Sequence, residues 1–96
     1  MSRENSALIE RIKARLKDVI DPELGRDVVS LGLIYTIEAT DAGAVHITMT
    51  TTTIGCPAAE FLVDAVRHAS STVTGVRTVD VELTHEPRWQ PEMICD

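Results

Sequence analysis

The sequence predicts an α/β (α+β) two-layer sandwich with the element order α-β-β-α-β, in which a small mixed three-stranded sheet carries both helices on one face. Two segments repeat apolar residues at the spacing of an amphipathic helix, and three shorter segments alternate apolar with polar residues, as half-buried strands do. One-sided helices and one-sided strands bury their apolar faces against each other. A chain of 96 residues has room for one hydrophobic core, so residues 1–96 are predicted to form a single domain.

The first predicted helix covers residues 6–20. Its apolar residues recur at helical spacing: Ile9, Ile12, Leu16, Val19 and Ile20. Asp21-Pro22 is expected to end it, because proline disfavours helical geometry in the residue before it. The segment that follows, DPELGRDVVSLGL, contains one proline and two glycines, so it is predicted to be a connection with turns.

The first two predicted strands are residues 33–39 and 44–52, joined by a tight turn at 41–43. In the return strand, one face carries Val45, Ile47 and Met49, and the opposite face carries His46 and threonines. Threonine favours strands because it is branched at Cβ. The two segments are therefore expected to form a hairpin with one buried face.

A second helix is predicted from Pro57 to about Ser71, followed by a break at Gly75. Residues 78–85 alternate and predict a third strand, with Val79, Val81 and Leu83 on its buried side. The sequence leaves open whether this strand pairs with the first strand or the second. Residues 86–96 show no periodicity and predict an irregular tail that contains prolines and a tryptophan.

Composition and charge exclude several classes of function. The net charge is −6 and the pI is about 4.9, whereas nucleic-acid binding needs clustered Lys and Arg. No apolar run approaches the ~20 residues that span a bilayer. The first residues, MSRENSALIE, lack the apolar stretch of a signal peptide, so the cytoplasm is the expected compartment. Two cysteines without a CxxC pair argue against a disulfide framework.

Cys56 is the first candidate functional residue, in the stretch TTTIGCPAAE. If Pro57 opens the second helix, Cys56 is the N-cap, where the helix dipole and free N–H groups lower the pKa of a thiol. Gly55 allows close approach of a ligand, and the hydroxyls of Thr51, Thr52 and Thr53 are placed to donate to a thiolate. The alternative is an inert, buried cysteine in a tight turn, since such cysteines are common.

Asp21 and Cys95 each leave two interpretations open. Asp21 and Glu23 lie near Cys56 if both junctions open at the same end of the sheet; otherwise Asp21 binds backbone amides in its own turn. Cys95, next to the last residue, is either an unremarkable exposed thiol or a second thiol that reaches Cys56.

Three motifs in order resemble those of the SufT/PaaD-like iron–sulfur (metal–sulfur) cluster assembly domain family: DPELGRDVVSLGLIY at 21–35, TTTIGCPAAE at 51–60 and GVRTVDVELTHEPRW at 75–89. The resemblance implies a compact α/β two-layer domain that acts in the maturation of iron–sulfur proteins. It also implies that Cys56 is the reactive cysteine, that Asp21 is the family's acidic residue and that the threonines at 51–53 lead to the cysteine. Two departures stand out: Ile54 replaces a usual proline, and Arg88 replaces the second of two prolines before the tryptophan.

The resulting hypothesis is a non-enzymatic assembly factor that aids delivery or insertion of clusters into client proteins through Cys56. No tightly bound cofactor is expected; a transient iron–sulfur cluster or iron would be held by Cys56 with ligands shared across a homodimer or with a client, because a cluster commonly needs about four cysteines. The expected partners are the iron–sulfur assembly machinery and client apo-proteins, with no nucleic acid and no membrane. The alternatives are a small redox protein in which Cys95 resolves Cys56, an accessory protein of a phenylacetyl-CoA oxygenase-type complex, and an interaction module that makes no use of the thiol.

Overall fold

The computed structural model describes residues 5–95 and confirms the predicted element order α-β-β-α-β. In chain order the elements are α1 (Ser6–Leu16), β1 (Ile34–Ala39), β2 (Ala44–Met49), α2 (Ala59–Ser71) and β3 (Thr78–Leu83), followed by a 3₁₀ turn at Pro91–Met93. The 3₁₀ turn lies in the segment that was predicted to be irregular throughout.

Helix α1 starts at a side-chain cap and ends four residues before the predicted boundary. The Asn5 side chain accepts a hydrogen bond from the Leu8 N–H at 3.1 Å, which satisfies one of the free donors of the first turn. After Leu16, the N–H groups of residues 17–19 donate to the carbonyls three residues earlier, which makes a tighter turn than an α-helix. Ile20 then pairs with Asp27 in an isolated antiparallel bridge. Ile20 was predicted to be buried but is 48% exposed, because this bridge takes it away from the helix face.

The connection from α1 to β1 folds back on itself and carries two buried anchors, Val28 and Leu31. The Val28 N–H donates to the Val19 carbonyl, and the Asp21 N–H donates to the Arg26 carbonyl. These bonds close the turn at 21–26, which holds the acidic residues of the DPE segment next to the core.

Strand β2 lies at the centre of the sheet, whose order is β1-β2-β3. β1 and β2 are antiparallel, as the hairpin prediction requires, and β2 and β3 are parallel with Ala44 opposite Thr78. The third strand therefore pairs with the second, which the sequence had left open. The predicted return strand was three residues too long, since β2 ends at Met49.

Both helices pack on the same face of the sheet. The buried side of β2 (Val45, Ile47 and Met49) shares one hydrophobic core with residues of α1 and α2, and the two helices contact each other. The fully buried large side chains at its centre are Leu8, Ile12, Leu16, Leu31, Leu33, Ile47, Met49 and Leu62. In residues 5–95, neither helix is long and apolar enough to cross a membrane.

Strand β3 is an edge strand, and its predicted buried face is only partly covered. Val79 and Val81 are half-buried, whereas Leu83 is 39% exposed, contrary to the prediction. The tail then packs back onto the sandwich. The Trp89 indole N–H donates to the Leu31 carbonyl at 2.7 Å, and the Tyr35 hydroxyl donates to the Pro87 carbonyl at 2.7 Å.

Candidate functional site

The candidate site lies at the end of the sheet that is formed by the carboxyl ends of the parallel strands β2 and β3. Ligand sites in sheets with parallel strands commonly form beyond the carboxyl ends of those strands. The segment 50–56 follows β2, and His85 follows β3 by two residues. The two segments meet where the His85 Nε2 atom lies 3.1 Å from the Thr51 Oγ1 atom.

The Thr51 hydroxyl braces the turn that leads to Cys56. Thr51 is buried, and its Oγ1 donates to the Thr53 carbonyl at 2.7 Å. A hydroxyl has one proton, so the contact with His85 requires the Nε2 atom of His85 to be the donor. The prediction that the Thr51 hydroxyl donates to a Cys56 thiolate is therefore wrong, because its proton is committed to Thr53.

The other two threonines differ in exposure from Thr51. Thr52 is half-buried and Thr53 is exposed, and both line a small groove together with Ile54, His85 and Arg88. Among the described residues, neither Thr52 nor Thr53 contributes a side-chain hydrogen bond to Cys56. The two side chains therefore line the groove, and donation from their hydroxyls to a Cys56 thiolate stays a prediction.

The Cys56 thiol is buried against a carboxylate. Cys56 is 7% exposed, and its Sγ–H donates to the Oε1 atom of Glu23 at 3.0 Å. The two residues are 33 positions apart, and the turn at 21–26 brings them together. This contact confirms that the DPE junction and the Gly-Cys-Pro junction open at the same end of the sheet.

Helix α2 begins later than predicted, so Cys56 is not its N-cap. The N-cap is Ala58, which makes no side-chain hydrogen bond, and the first helical residue is Ala59. The Cys56 carbonyl accepts from the Ala59 N–H at 3.0 Å, so residues 56–59 form a separate turn ahead of the helix. Pro57 is exposed in that turn instead of opening the helix.

The pKa of the Cys56 thiol is raised above its ordinary value, so the prediction of a lowered pKa is wrong. The hydrogen bond to Glu23 is the largest cause, followed by burial, and the negative charges of Glu23 and Asp21 act in the same direction. A backbone hydrogen bond from Ala58 lowers the pKa but does not outweigh these effects. The resting thiol is therefore protonated at neutral pH.

Asp21 is buried, and only one of its carboxylate oxygens has a hydrogen-bond partner among the described residues. Its Oδ1 accepts from the Glu23 N–H at 2.7 Å and from the Leu24 N–H at 3.4 Å, as the turn interpretation predicts. Its Oδ2 is buried without a hydrogen bond within residues 5–95. A buried polar atom of this kind is costly, and such atoms concentrate at functional sites. Asp21 thus shapes the turn that presents Glu23 and also places negative charge near the thiol.

Gly55 is required for its backbone conformation. Its φ of +76° lies in the left-handed region, which residues with a side chain rarely adopt. A Cβ at this position would meet nothing within 4 Å among the described residues, so the space beside Gly55 is open and the close approach of a ligand there stays a prediction.

The two cysteines lie in different surroundings. Cys95 is exposed, and its N–H donates to the Ser30 carbonyl at 2.7 Å. It lines a groove with Ile9 and Tyr35, whereas Cys56 faces Glu23. No disulfide joins the two within the described chain.

Within residues 5–95, no three side chains from His, Cys, Asp and Glu are grouped so that they could hold a metal ion. Cys56, Glu23 and Asp21 are the thiol and carboxylate residues that the structure brings to this site. Of these, the sequence singled out Cys56 and Asp21, and it placed Glu23 near them only as an alternative. The signal for Glu23 was its position inside the DPE segment, two residues after Asp21.

Comparison with known proteins identifies the family. The family model described as "Iron-sulfur cluster assembly protein" matches residues 9–83, a span that runs from within α1 to the end of β3 and includes the DPE turn and Cys56. The chain belongs to the iron–sulfur cluster assembly protein family.

Relatives match over most of their own length. The Fe-S protein maturation auxiliary factor YitW of Bacillus subtilis is 43% identical over 83 residues, which cover 86% of this chain and 81% of that protein. An Fe-S protein maturation auxiliary factor of Porphyromonas gingivalis is 40% identical over 96 residues, covering 100% of this chain and 91% of the relative. The crystal structure of a domain of unknown function (DUF59) from Bacillus anthracis superposes with a TM-score of 0.88 at 41% identity, covering 93% of this chain and 85% of that one.

Proposed function

We propose that this chain is an iron–sulfur protein maturation factor in which Cys56 lends a ligand to a cluster, or to iron, on its way to a client apo-protein. Family membership supports the class of function, and two relatives that match over most of their length are named maturation factors. The observation that carries the residue-level part is the Cys56 thiol held by Glu23 at the carboxyl edge of β2.

Ligation of iron by Cys56 requires the thiol to lose its proton. The Glu23 Oε1 atom, 3.0 Å from the sulfur, is the nearest acceptor for that proton. The positive charge of iron stabilises the thiolate and offsets the carboxylates that keep the resting thiol protonated. Binding therefore releases a proton, and it is expected to weaken as the pH falls.

The chain carries two cysteines, whereas a cluster commonly has about four cysteine ligands. Cys95 lies in a different neighbourhood from Cys56, so the remaining ligands are proposed to come from a second copy of the chain or from the client. A cluster shared in this way is held transiently, which suits a factor that hands its cargo on. The proposed place of work is the cytoplasm, among the apo-proteins that await clusters.

The redox alternative is not favoured. It needs Cys95 to reach Cys56, but the Cys95 backbone is hydrogen-bonded to Ser30 and the Cys56 sulfur is covered by Glu23. A role restricted to a phenylacetyl-CoA oxygenase-type complex is also less favoured, because the maturation factors of B. subtilis and P. gingivalis match over more than four fifths of their length. The proposed role is non-catalytic.

The test is the anaerobic maturation of an apo-aconitase by the full chain loaded with iron and sulfide. Cys56→Ser is expected to lower the rate of aconitase activation by about tenfold or more, because the ligand is lost. Cys95→Ser is the matched control and is expected to keep the wild-type rate. Equal rates for wild type and Cys56→Ser would refute the role of the thiol.

A further inference from the structure

The surface around Cys56 carries exposed hydrophobic side chains. In the described part of the chain, five large hydrophobic side chains are exposed: Ile20 (48%), Leu24 (46%), Ile54 (59%), Phe61 (61%) and Leu83 (39%). The first four lie within five residues of Glu23 or Cys56 along the chain, and we call these four the apolar rim. Single exposed apolar residues are ordinary, but a group of them beside a functional residue marks a contact surface.

The fold brings the apolar rim together from two segments. The hydrogen bond between Glu23 and Cys56 joins the turn at 20–24 to the segment at 54–61. Leu24 is adjacent to Glu23 in sequence, and the Cα atom of Ile54 lies within about 7.6 Å of the Cα atom of Cys56, because two residues span no more than that. Phe61 is the third residue of α2, which begins three residues after Cys56, and its side chain is exposed.

The charge of the same surface is negative. Residues 20–27 and 54–61 contain four carboxylates (Asp21, Asp27, Glu23 and Glu60) and one guanidinium, that of Arg26, and a second guanidinium, that of Arg88, lines the groove beside Ile54, so carboxylates remain in excess. Glu23 and Glu60 are exposed, and the Asp21 Oδ2 atom is buried without a hydrogen bond among the described residues. A partner that brings a cation to this surface therefore gains electrostatic energy, whereas an acidic partner is repelled.

Access to the sulfur gives a second reason for a cationic partner. Cys56 is 7% exposed and its thiol is hydrogen-bonded to Glu23, so the sulfur is largely shielded while that contact holds. An ammonium or guanidinium group that binds the Glu23 carboxylate competes directly with the thiol for the same acceptor oxygen.

We propose that the apolar rim is the docking surface for a client segment in which apolar side chains flank a Lys or Arg, and that this cation draws Glu23 away from Cys56 and uncovers the thiol. The proposal deepens the proposed function, because it rests on Cys56 being the group that the client needs. It makes client docking the event that exposes the ligand.

The experiment uses three short synthetic peptides of equal length: one of alternating Leu and Lys, one with Glu in place of Lys, and one with Ser in place of Leu. Each is titrated into the ¹⁵N-labelled full chain carrying Cys95→Ser, and alkylation of Cys56 is followed in parallel. The Leu/Lys peptide is expected to shift the amide signals of residues 20–24 and 54–61 and to accelerate alkylation severalfold. The other two peptides are expected to bind about tenfold more weakly or worse.

Variants locate the surface. Phe61→Ser and Leu24→Ser are expected to weaken binding of the Leu/Lys peptide by about tenfold each, because exposed anchors dominate such contacts. Leu83→Ser removes the fifth exposed hydrophobic residue, which ends β3 and lies outside the two segments of the apolar rim, and it is expected to bind as the parent does. Circular dichroism verifies that each variant is folded.

Several results would overturn the docking proposal: equal binding of the Leu/Glu peptide, signal shifts confined to other residues, unchanged alkylation on binding, or a loss with Leu83→Ser equal to that with Phe61→Ser. A concentration-dependent dimer that Phe61→Ser dissociates would assign the apolar rim to a second copy instead. The proposed function fails separately. If Cys56→Ser binds the Leu/Lys peptide normally and also matures apo-aconitase at the wild-type rate, docking stands without a role for the thiol.

Discussion

Replacing Glu23 with Gln tests the control of the Cys56 thiol directly. The substitution keeps the size of the side chain but removes the negative charge that lies 3.0 Å from the sulfur. Because that charge disfavours the thiolate, its removal is expected to lower the thiol pKa and to speed alkylation of Cys56 at neutral pH.

The magnitude follows from Coulomb's law. Two unit charges about 4 Å apart interact by about 1 kcal/mol in water and about 4 kcal/mol at an effective dielectric constant of about 20. Glu23 is exposed, so the lower figure applies. Since about 1.4 kcal/mol corresponds to a tenfold change in an equilibrium, about 1 kcal/mol is expected to raise the alkylation rate of Glu23→Gln by about fivefold.

The assay follows iodoacetamide modification of Cys56 by mass spectrometry in a Cys95→Ser background, over a series of pH values. Glu60→Gln is the matched control, because it removes an exposed carboxylate from the neighbouring first turn of α2 that makes no hydrogen bond to the sulfur. Its rate is expected to stay within about twofold of the parent. The reasoning is refuted if Glu23→Gln reacts no faster than the parent, or if Glu60→Gln gives the same acceleration.

Three further predictions concern stability. Because the pKa of the Cys56 thiol is raised in the folded state, the protonated thiol stabilises the fold fully below the unfolded-state pKa of about 8.5. This stabilisation is lost as the pH rises through the higher folded-state pKa. Urea titrations should therefore show wild type losing stability relative to Cys56→Ser in alkaline solution. Gly32→Ala places a Cβ against the Met93 carbonyl at a φ of +77° and should lower the free energy of unfolding by about 2 kcal/mol or more. Gly25→Ala, at a φ of +67° in open space, should lower it by about 1 kcal/mol. Equal losses for the two variants in thermal unfolding would contradict the contact with Met93. Leu62→Ala removes a fully buried side chain and should cost about 2–5 kcal/mol by urea denaturation; a loss below 1 kcal/mol would show that the core closes around the gap.

The sequence predicted burial correctly for elements that face the core along their whole length, such as β2. β2 is covered on one side by both helices, so Val45, Ile47 and Met49 alternate without exception and are all buried. The pattern predicted too much burial at positions where the chain leaves the core. Ile20 continues the helical spacing but belongs to a bridge with Asp27. Leu83 continues the alternation of β3, an edge strand that is only partly covered at that point.

The sequence identified two residues of the candidate site, but it did not predict the direction in which the pKa of the Cys56 thiol is shifted. Cys56 and Asp21 were singled out from motifs, and their proximity was one of two interpretations that the sequence left open. The sign of the thiol pKa was wrong because it was inferred from local structure, a helix start at Pro57. The effect that dominates comes from Glu23, 33 residues away in sequence, and a contact of that kind depends on how the turn at 21–26 closes.

The docking of the tail provides a built-in optical reporter. Trp89 is the one tryptophan of the chain, and its indole N–H is bonded to the carbonyl of Leu31, in the connection that also carries Asp21 and Glu23. The emission maximum of tryptophan fluorescence therefore reports whether the Trp89 side chain remains in contact with this connection. A red shift that precedes the loss of helical circular dichroism during denaturation would show the tail detaching while the two-layer core is still folded.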